Sequence, residues 1–409
     1  MKKIKEKILS FLQKASKKLK IFFNWRLLLI ILLLLVLALS VFLFFTQQSK
    51  TELSSQILEV QISKDQIEDQ LSSTKIELEA LVNEDQFQIN KALEATISSI
   101  EKTYDDAVVL YEEMLDLQVA SKKNDYSKLF AQSLSYLGEQ NYASASTTLS
   151  TLKQNLAKER EKISTTFTIA ENVPAQNTPP GSGYARQRVS TDFGDFLVDI
   201  ISADLNSTKV IVDTASDSDC RDNCPVLPLA DYVARSGAYA GINGSYFCPA
   251  DYPSCAGKTN SFDTLAMNKN KKYLNSDNNV FSTVPAVIFH GSSARFVRAS
   301  QEWGRDTSVD AVLANHPLLL LSGEIMFGGN DDPKQGSKSN RSFVAATGST
   351  VYIGVVHNAT VAEVARVLHK TGIQNALNLD AGGSSALWSG GYKVGPGRNL
   401  PNALLFVRK

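Results

Sequence analysis

An uninterrupted apolar run near the start of the chain is its strongest pattern. Residues 27–45 contain no charged side chain, and about 20 apolar residues in a helix are enough to cross a bilayer. Residues 1–26 carry nine Lys or Arg side chains and one acid, Glu6, and a basic flank on this side places the N-terminus in the cytoplasm. The pattern predicts an uncleaved single-pass anchor with everything downstream outside the cytoplasm. A cleaved signal peptide is the alternative, although its apolar core is usually shorter, about 7–15 residues.

The next segment, residues 46–86, has the spacing of a coiled coil. Apolar side chains recur at alternating steps of four and three, and they fill seven of nine seam positions: Leu53, Ile57, Val60, Ile67, Leu71, Leu78 and Leu81. Lys64 and Thr74 occupy the other two positions. We expect these heptads to form a stalk that joins copies of the chain into a homo-oligomer. A single amphipathic helix that packs on the following helices is the alternative.

Residues 87–170 continue the helical pattern without proline. One apolar stripe is expected at Ile97, Ile100, Tyr104, Val108, Tyr111 and Leu115. Polar breaks at residues 122–125 and at Gly138 and Asn141 divide the segment, which predicts a helical hairpin or small bundle. An aromatic stripe of this kind is typical of a core, so we assign it no chemistry.

The character of the chain changes after residues 171–184, which are rich in Pro, Gly and Asn and predict a linker. From residue 185 onward the apolar runs are short and β-like. Helical patterns are confined mainly to residues 228–236 and 360–370, and Thr360 with Glu363 forms a predicted capping box at the start of the second. The predicted fold class is therefore α+β. A sheet-rich domain at 185–409 is preceded by a transmembrane helix and an all-α coiled-coil and helical stalk.

The cysteines agree with an exported domain. All four lie within residues 220–255, at Cys220, Cys224, Cys248 and Cys255. An even, clustered set of this kind predicts two disulfides, and four cysteines allow three pairings. The local pairs Cys220–Cys224 and Cys248–Cys255 are preferred. A zinc site is the alternative, but neither pair has CxxC spacing and no histidine lies nearby.

The charge balance points away from nucleic acid as a partner. The chain has 42 Lys or Arg and 42 Asp or Glu residues, which gives a formal net charge of +0. No basic and aromatic stripe, P-loop or dinucleotide fingerprint occurs in the sequence.

Candidate chemistry is concentrated in residues 375–388. A short apolar strand is expected to end at Asp380, followed by Gly382 and Gly383, which allow close backbone approach, and by the hydroxyls of Ser384 and Ser385. A carboxylate, free N–H groups and hydroxyls at a strand end can bind a metal, a sugar or a phosphate. The alternative is a tight turn whose aspartate only satisfies local N–H groups.

Other polar residues also lie at the ends of apolar runs, where a rigid scaffold would present them. They are Asn243, Arg341, His357 and Arg398. Each arginine can donate two parallel hydrogen bonds to a phosphate or carboxylate. Taken singly, such residues are more often structural.

These motifs resemble a known family. Residues 378–388 resemble the signature of the phosphodiester glycosidases, and residues 241–247, 317–323, 340–342 and 398–403 are similar to its accessory motifs in the same order. The resemblance covers roughly residues 185–409. Ala381 departs from the pattern, because the family usually has glycine there.

The resemblance implies hydrolysis of a sugar that is joined through its anomeric oxygen to a phosphodiester. Asp380 would then act as general base, nucleophile or ligand of a divalent cation, and Arg341 or Arg398 would bind the charged phosphodiester. Asn243 would hold a sugar hydroxyl or polarise the leaving group, so the catalytic set is Asp380, Arg341 and Asn243. Substrate-binding roles fall to Gly382, Gly383, Ser384, Ser385, Arg398 and His357.

A second carboxylate is usual in glycosidases, and Asp263 is a weak candidate for it. A phosphate leaving group needs less acid help than an alkoxide, so a second carboxylate is not strictly required. No cofactor is expected other than a divalent cation at Asp380, since the four histidines form no HExxH motif or close pair.

The leading hypothesis is a membrane-anchored, extracytoplasmic hydrolase that cleaves a sugar from a glycosyl phosphodiester in a cell-envelope or exported glycan. One alternative is a non-catalytic glycan- or anion-binding module in exopolysaccharide biosynthesis or export. Another is a scaffold whose helical region is the functional part.

Overall fold

The computed structural model describes residues 2–82, 85–120 and 126–409. The chain divides into two compact units, Met1–Ile97 and Ser98–Lys409. The first unit is helical and contains α1 (Lys2–Val82) and the start of α2 (Asp85–Ala120). The second contains the rest of α2, two further helices and the sheet-rich domain. The predicted α+β class is confirmed.

Helix α1 contains the predicted anchor. From Leu28 onward this helix is, by length and composition, long and apolar enough to cross a membrane. None of its most apolar stretch is buried inside the protein. A signal sequence near the N-terminus has the same properties. Together with the disulfides below, the apolar helix indicates a domain that is membrane-anchored or secreted.

The predicted coiled-coil seam also lies on α1. Its apolar side chains are exposed in the single chain, for example Leu53 at 58% and Leu71 at 67%. A seam that meets a second helix must be accessible in the monomer. The coiled coil and the homo-oligomer stay predictions.

Residues 98–166, here called the helical module, pack around a small core of their own. The module contains the end of α2, α3 (Tyr126–Gly138) and α4 (Tyr142–Thr166). Buried positions recur every three or four residues along α2 and α4, as a helix face requires. They are Ala107, Leu110, Met114 and Leu117 on α2, Leu137 on α3, and Ala145, Leu149, Leu152 and Leu156 on α4.

The buried face of α2 differs from the predicted stripe. Tyr104 and Ile97 are each 46% exposed, whereas Ala107 and Leu110 are buried against α4. Hydrophobicity does not mark the buried positions Thr103, Ala107 and Glu112 of this face, so the pattern selected neighbouring aromatic and aliphatic residues instead. The predicted break at residues 122–125 lies outside the described residues.

The sheet domain begins at Gly183, two residues before its predicted start at residue 185. Its strands are β1 (Gly183–Thr191), β2 (Gly194–Asp204), β3 (Thr208–Thr214), β4 (Ala240–Asn243), β5 (Ala266–Met267), β6 (Tyr273–Leu274), β7 (Ala286–His290), β8 (Ser293–Val297), β9 (Ala311–Ala314), β10 (Leu318–Leu321), β11 (Glu324–Ile325), β12 (Ser339–Thr347), β13 (Thr350–Ala359), β14 (Asn375–Ala381), β15 (Leu387–Ser389), β16 (Tyr392–Val394) and β17 (Asn402–Arg408). Its helices are α5 (Leu229–Ser236), α6 (Pro333–Gly336) and α7 (Val361–Lys370).

The strands form three sheets. A seven-stranded sheet has the order β1-β2-β13-β12-β14-β10-β11, and two five-stranded sheets have the orders β16-β15-β4-β17-β3 and β6-β5-β9-β7-β8. The largest core cluster takes side chains from all three sheets, including Ile201, Ile242 and Val287. Helix α7 covers the other face of the seven-stranded sheet through Val364 and Leu368. Strand β14, which carries Asp380, is held between β12 and β10.

The N-terminal border of this domain is tied to the sheet. Within the segment predicted as a linker, Gln176 N donates to Arg188 O at 2.9 Å, and Arg188 N donates to Pro174 O at 2.8 Å. The capping box of α7 forms as expected, with the Thr360 side chain bonded to the Glu363 N–H and the Glu363 side chain bonded back.

The four cysteines form the two local pairs, Cys220–Cys224 and Cys248–Cys255. Their Cα atoms are 5.7 Å and 5.3 Å apart. The second disulfide closes a short loop that carries Asp251, Tyr252 and Ser254. That loop reaches the candidate site.

Candidate active site

Asp380 is the penultimate residue of β14, and Ala381 separates it from a single 3-10 turn at Gly382–Ser384. Gly382 has φ +63°, a left-handed conformation that a β-carbon disfavours. The Asp380 main chain is held on both sides, since its N donates to Gly244 O at 3.0 Å and its O accepts from Asn243 Nδ2 at 2.7 Å. The sequence correctly placed the carboxylate at a strand end followed by a glycine turn.

The Asp380 carboxyl group is buried, with 9% of the residue exposed. Burial raises its pKa to about 7, against the lowering effects of the Ala381 N–H, the Ser384 hydroxyl and Arg398. Its Oδ1 accepts from Ala381 N at 2.8 Å. A carboxyl group of this kind can exchange a proton near neutral pH, as acid–base catalysis requires.

Arg398 packs directly on the second glycine of the turn. A β-carbon built at Gly383 would lie 2.9 Å from Arg398 Nη1, and Arg398 N donates to Gly383 O at 2.9 Å. The Arg398 guanidinium lies 4.8 Å from the centre of the Tyr252 ring. Gly383 is therefore needed for the close approach of this arginine.

The charge on Arg398 is held firmly. Its Nη2 lies 3.1 Å from Asp116 Oδ1 and 3.2 Å from Asp251 Oδ2. Burial alone would lower the pKa of Arg398, but Tyr252, Asp116 and Asp251 raise it above its usual value. The guanidinium therefore stays positive wherever the protein is folded.

Arg341, on β12, is 4% exposed. Its Nε donates to Ala359 O at 3.1 Å, and its Nη2 donates to the main-chain oxygens of Lys334 and Ser337. Burial lowers the pKa of Arg341, and nearby Tyr246, Asp332 and Asp380 oppose that change. Nη1 is the guanidinium nitrogen with no acceptor among the described residues.

These groups share one cavity of about 330 Å³. Six of the predicted site residues line it: Asp380, Gly382, Gly383, Ser384, Arg341 and Arg398. Tyr246 and His316 contribute an aromatic edge, with ring centres 5.0 Å apart. The cavity thus combines a carboxyl group, two arginines, a glycine turn and two aromatic rings, which suits a sugar joined to an anion.

Asn243 lies behind the turn and outside the cavity lining. It is fully buried. Its Oδ1 accepts from Ser342 Oγ at 2.8 Å and from Ala386 N at 3.1 Å, while its Nδ2 bonds Asp380 O. These bonds hold the Asp380 turn in place, and the predicted contact with substrate stays a prediction.

Ser385 and His357 are also outside the cavity lining. Ser385 Oγ donates to Asn340 O at 3.2 Å. His357 lies between Asp199 Oδ2, 2.7 Å from Nε2, and Asn340 Oδ1, 3.0 Å from Nδ1. Asp199 also accepts from Tyr184 at 2.6 Å, so His357 belongs to a buried polar network between strands.

The weak candidate for a second carboxylate, Asp263, borders a different depression of about 400 Å³. Its main-chain oxygen accepts from Asn279 Nδ2 at 2.7 Å. A catalytic role for Asp263 at the Asp380 cavity has no support from this geometry.

Sequence reasoning missed the contribution of the helical module. Glu113 and Asp116 on α2 and Arg160 on α4 line the same cavity as Asp380. Their pattern in the sequence is that of an ordinary solvated helix face, so no local signal identifies them. Tyr246 was detectable, since it lies in the conspicuous segment 241–247.

Protein metal sites are built from clustered side chains such as His, Cys, Asp and Glu. Within residues 2–82, 85–120 and 126–409, no group of three or more His, Cys, Asp or Glu side chains is arranged to hold a metal ion. Asp380 as a ligand of a divalent cation stays a prediction.

Comparison with known proteins supports the resemblance. Residues 236–407 match the family model of the phosphodiester glycosidases, so the resemblance predicted from the motifs is confirmed over this region. It supports a hydrolase-type role in glycan processing. A search of curated proteins gives no match.

The solved structures that match parts of this chain include three of low sequence identity. A hypothetical protein from Synechocystis is 14% identical, with a TM-score of 0.40, and the match covers 55% of this chain and 62% of that one. The zebrafish N-acetylglucosamine-1-phosphodiester alpha-N-acetylglucosaminidase catalytic domain, auto-inhibited by its pro-peptide, is 13% identical, with a TM-score of 0.43 and coverage of 58% and 87%. A putative exported protein from Burkholderia pseudomallei is 11% identical, with a TM-score of 0.33 and coverage of 52% and 74%. The chain thus spans less than two thirds of the first of these structures.

Proposed function

We propose that the sheet domain hydrolyses a glycosyl phosphodiester and releases the sugar. The observation that carries the proposal is the buried Asp380 carboxyl, with its pKa raised to about 7, in one cavity with Arg398 and Arg341. The match of residues 236–407 to the phosphodiester glycosidases supports the same reaction class.

The substrate's phosphodiester keeps one negative charge, and the two arginines would bind it. Each guanidinium has part of its donor set committed to protein groups, Arg341 to main-chain oxygens and Arg398 to carboxylates. Fixed donors in a buried site stabilise developing charge without reorganising during the reaction. The arginines would therefore bind the leaving phosphate more strongly as its charge grows.

Asp380 would act as the base. Water attacks the anomeric carbon, the bond between that carbon and the phosphate oxygen breaks, and Asp380 takes the proton of the water. The leaving group departs as a phosphate monoester, whose second pKa is about 6, so no acid is needed to protonate it at neutral pH. One carboxylate is thus sufficient for the reaction as written.

The cellular setting follows from the N-terminal half. We infer that α1 anchors the chain in the cell membrane with residues 1–26 in the cytoplasm, because the basic flank precedes the apolar run. The sheet domain would then act outside the cytoplasm on a cell-envelope or exported glycan. The heptads at 53–81 would hold several copies together on the membrane.

The test uses the full chain in detergent micelles with a panel of sugar-1-phosphodiesters, followed by detection of free reducing sugar. Asp380→Asn should lower release by about 10²–10⁴-fold, the usual contribution of a general base. Asp263→Asn is the matched control and should keep wild-type turnover. A parallel series with EDTA, with and without added divalent cation, decides whether Asp380 works as a metal ligand.

Two results would contradict parts of the proposed function. Wild-type protein that binds the phosphodiesters but releases no sugar would favour the glycan-binding module. Equal activity in Asp380→Asn and wild type would remove Asp380 from the reaction.

A further inference from the structure

The cavity at Asp380 has two walls, and the helical module supplies one of them. Glu113, Asp116 and Arg160 face the same space as Asp380 and Arg398. The sheet domain, which contains the residues 236–407 that match the phosphodiester glycosidases, supplies only part of the lining of this space. The module is therefore placed where it can contact a substrate bound in the cavity.

Docking of the module on the sheet domain is specific. Glu112 on α2 is 4% exposed. Its Oε1 accepts from the Ser254 N–H at 3.1 Å and also from the Ser254 hydroxyl, and its Oε2 lies 3.3 Å from Lys334 Nζ. A buried carboxylate with three donors is well stabilised. It sets the position of α2 against the loop closed by Cys248–Cys255.

Asp116 lies one helical turn after Glu112, on the same face of α2. Its Oδ1 accepts from Tyr252 Oη at 2.6 Å and from Arg398 Nη2 at 3.1 Å. Tyr252 in turn stacks on the Arg398 guanidinium. One carboxylate oxygen thus fixes both the arginine and the ring that supports it.

The arrangement leaves one edge of Arg398 available. Asp116 and Asp251 both bind Nη2, and Gly383 packs against Nη1. Among the described residues Nη1 has no hydrogen-bond acceptor, and neither has Nε, which is buried. An arginine that is restrained on one nitrogen and open on another is oriented for an incoming phosphate oxygen.

A second cavity extends the cleft past the glycine turn. It measures about 260 Å³ and shares Asp116, Gly382 and Gly383 with the first. Its lining on the side of the module is more apolar, with Leu117 and Ile163 from the module and Phe167 directly after α4. A phosphodiester carries two substituents, so a cleft that continues on both sides of the turn has room for each, and the module lines both parts.

We propose that the helical module is part of the substrate site and that Asp116 is a positioning residue, which holds Arg398 in the orientation that binds the substrate's phosphate. The proposal rests on the proposed function for the identity of the substrate. It assigns the module a role in binding as well as in spacing the domain from the membrane.

The experiment compares Asp116→Ala, Asp116→Asn and the matched control Asp106→Asn, an exposed aspartate on the same helix, in the full chain. Asp116→Ala should lower kcat/KM by about tenfold, as expected for a lost charge-assisted hydrogen bond. Asp116→Asn should recover most of that loss, because its Oδ1 still accepts from Tyr252 and Arg398. Asp106→Asn should match wild type.

The pH profile gives a readout that a purely structural role would not move. Burial is the main cause of the raised pKa of Asp380, and the Asp116 charge adds a smaller effect in the same direction. Both Asp116 variants should therefore shift the acidic limb of kcat/KM to lower pH, including the asparagine variant with nearly normal turnover.

Binding of inorganic phosphate, measured by calorimetry, separates this proposal from the proposed function. If the wild type turns over no substrate, the activity proposal fails, and phosphate affinity alone decides the role of Asp116. Weaker binding in Asp116→Ala, with recovery in Asp116→Asn, supports positioning. Unchanged binding and unchanged turnover overturn the proposal, and so does tighter binding with faster turnover, which would make Asp116 a competitor of the phosphate.

Discussion

Gly383→Ala tests whether Arg398 must lie directly on the glycine turn. The added β-carbon would be 2.9 Å from Arg398 Nη1 and 3.1 Å from Arg398 Cζ. Ordinary van der Waals contacts of a β-carbon lie at 3.4–4 Å, so the guanidinium must move by roughly half an ångström or more. Tyr252 and the carboxylates of Asp116 and Asp251 resist that movement.

The expected cost follows from these contacts. Overpacking of a well-filled site typically costs about 1–3 kcal/mol of stability, and displacement of a positioning group by about 1 Å can cost about 10²-fold in rate. We expect Gly383→Ala to lower kcat/KM for a sugar-1-phosphodiester by about 10–10²-fold. Unfolding in denaturant should show a loss of at most about 3 kcal/mol.

Gly304→Ala is the control, because a β-carbon there meets nothing within 4 Å. Steady-state kinetics and denaturant unfolding of both variants give the answer. Full activity in Gly383→Ala at unchanged stability would refute the close packing of Arg398 on the turn and its need in the reaction.

Two further predictions concern the energetics of charged groups. Because burial raises the pKa of Asp380 from 3.8 to about 7, the folded state binds this proton more tightly than the unfolded state, so stability is lost as pH rises through the window from about 4 to 7. Asp380→Asn should therefore stabilise the protein at pH 8 by up to about 4 kcal/mol and give no such gain at pH 4. Denaturant unfolding at both pH values measures this difference. An equal effect of the substitution at pH 4 and pH 8 would contradict the raised pKa. Glu112→Ala should destabilise the docked module by about 1–3 kcal/mol, because buried donors lose their acceptor. Glu101 is exposed on the same helix, so Glu101→Ala should change the free energy of unfolding by less than about 0.5 kcal/mol. Thermal unfolding of the two glutamate variants side by side checks this, and equal melting temperatures would argue against docking through Glu112.

The long, buried strands were predictable because nearly all of their residues are apolar. Residues 351–356 carry no charged side chain and residues 376–379 are apolar except for Asn378, and the structure has β13 and β14 there. The pattern of apolar runs gives no indication of β1, because β1 is an edge strand with Arg186 and Arg188 on its exposed side. Its pairing with β2 supplies the stability that its own composition does not indicate.

The candidate site divides in the same way. Asp380, Gly382 and Gly383 are adjacent in the chain, and their order alone places a carboxylate at a glycine turn. The bonds of Asn243 to Asp380, Ser342 and Ala386 depend on the pairing of β4 with its neighbours. Sequence position gives no indication that this amide faces the turn from behind.

Local sequence by itself determined the apolar helix, the glycine turn with its carboxylate and the approximate strands, because each depends on residues that are close together in the chain. Only the tertiary structure decided that Arg398 meets Gly383 and that Asp116, on a helix from another part of the chain, meets Arg398. The physical reason is that a long-range contact depends on how separate elements pack. Hydrophobic periodicity reports which face of an element is buried, and carries no information about which charged residue that face will meet.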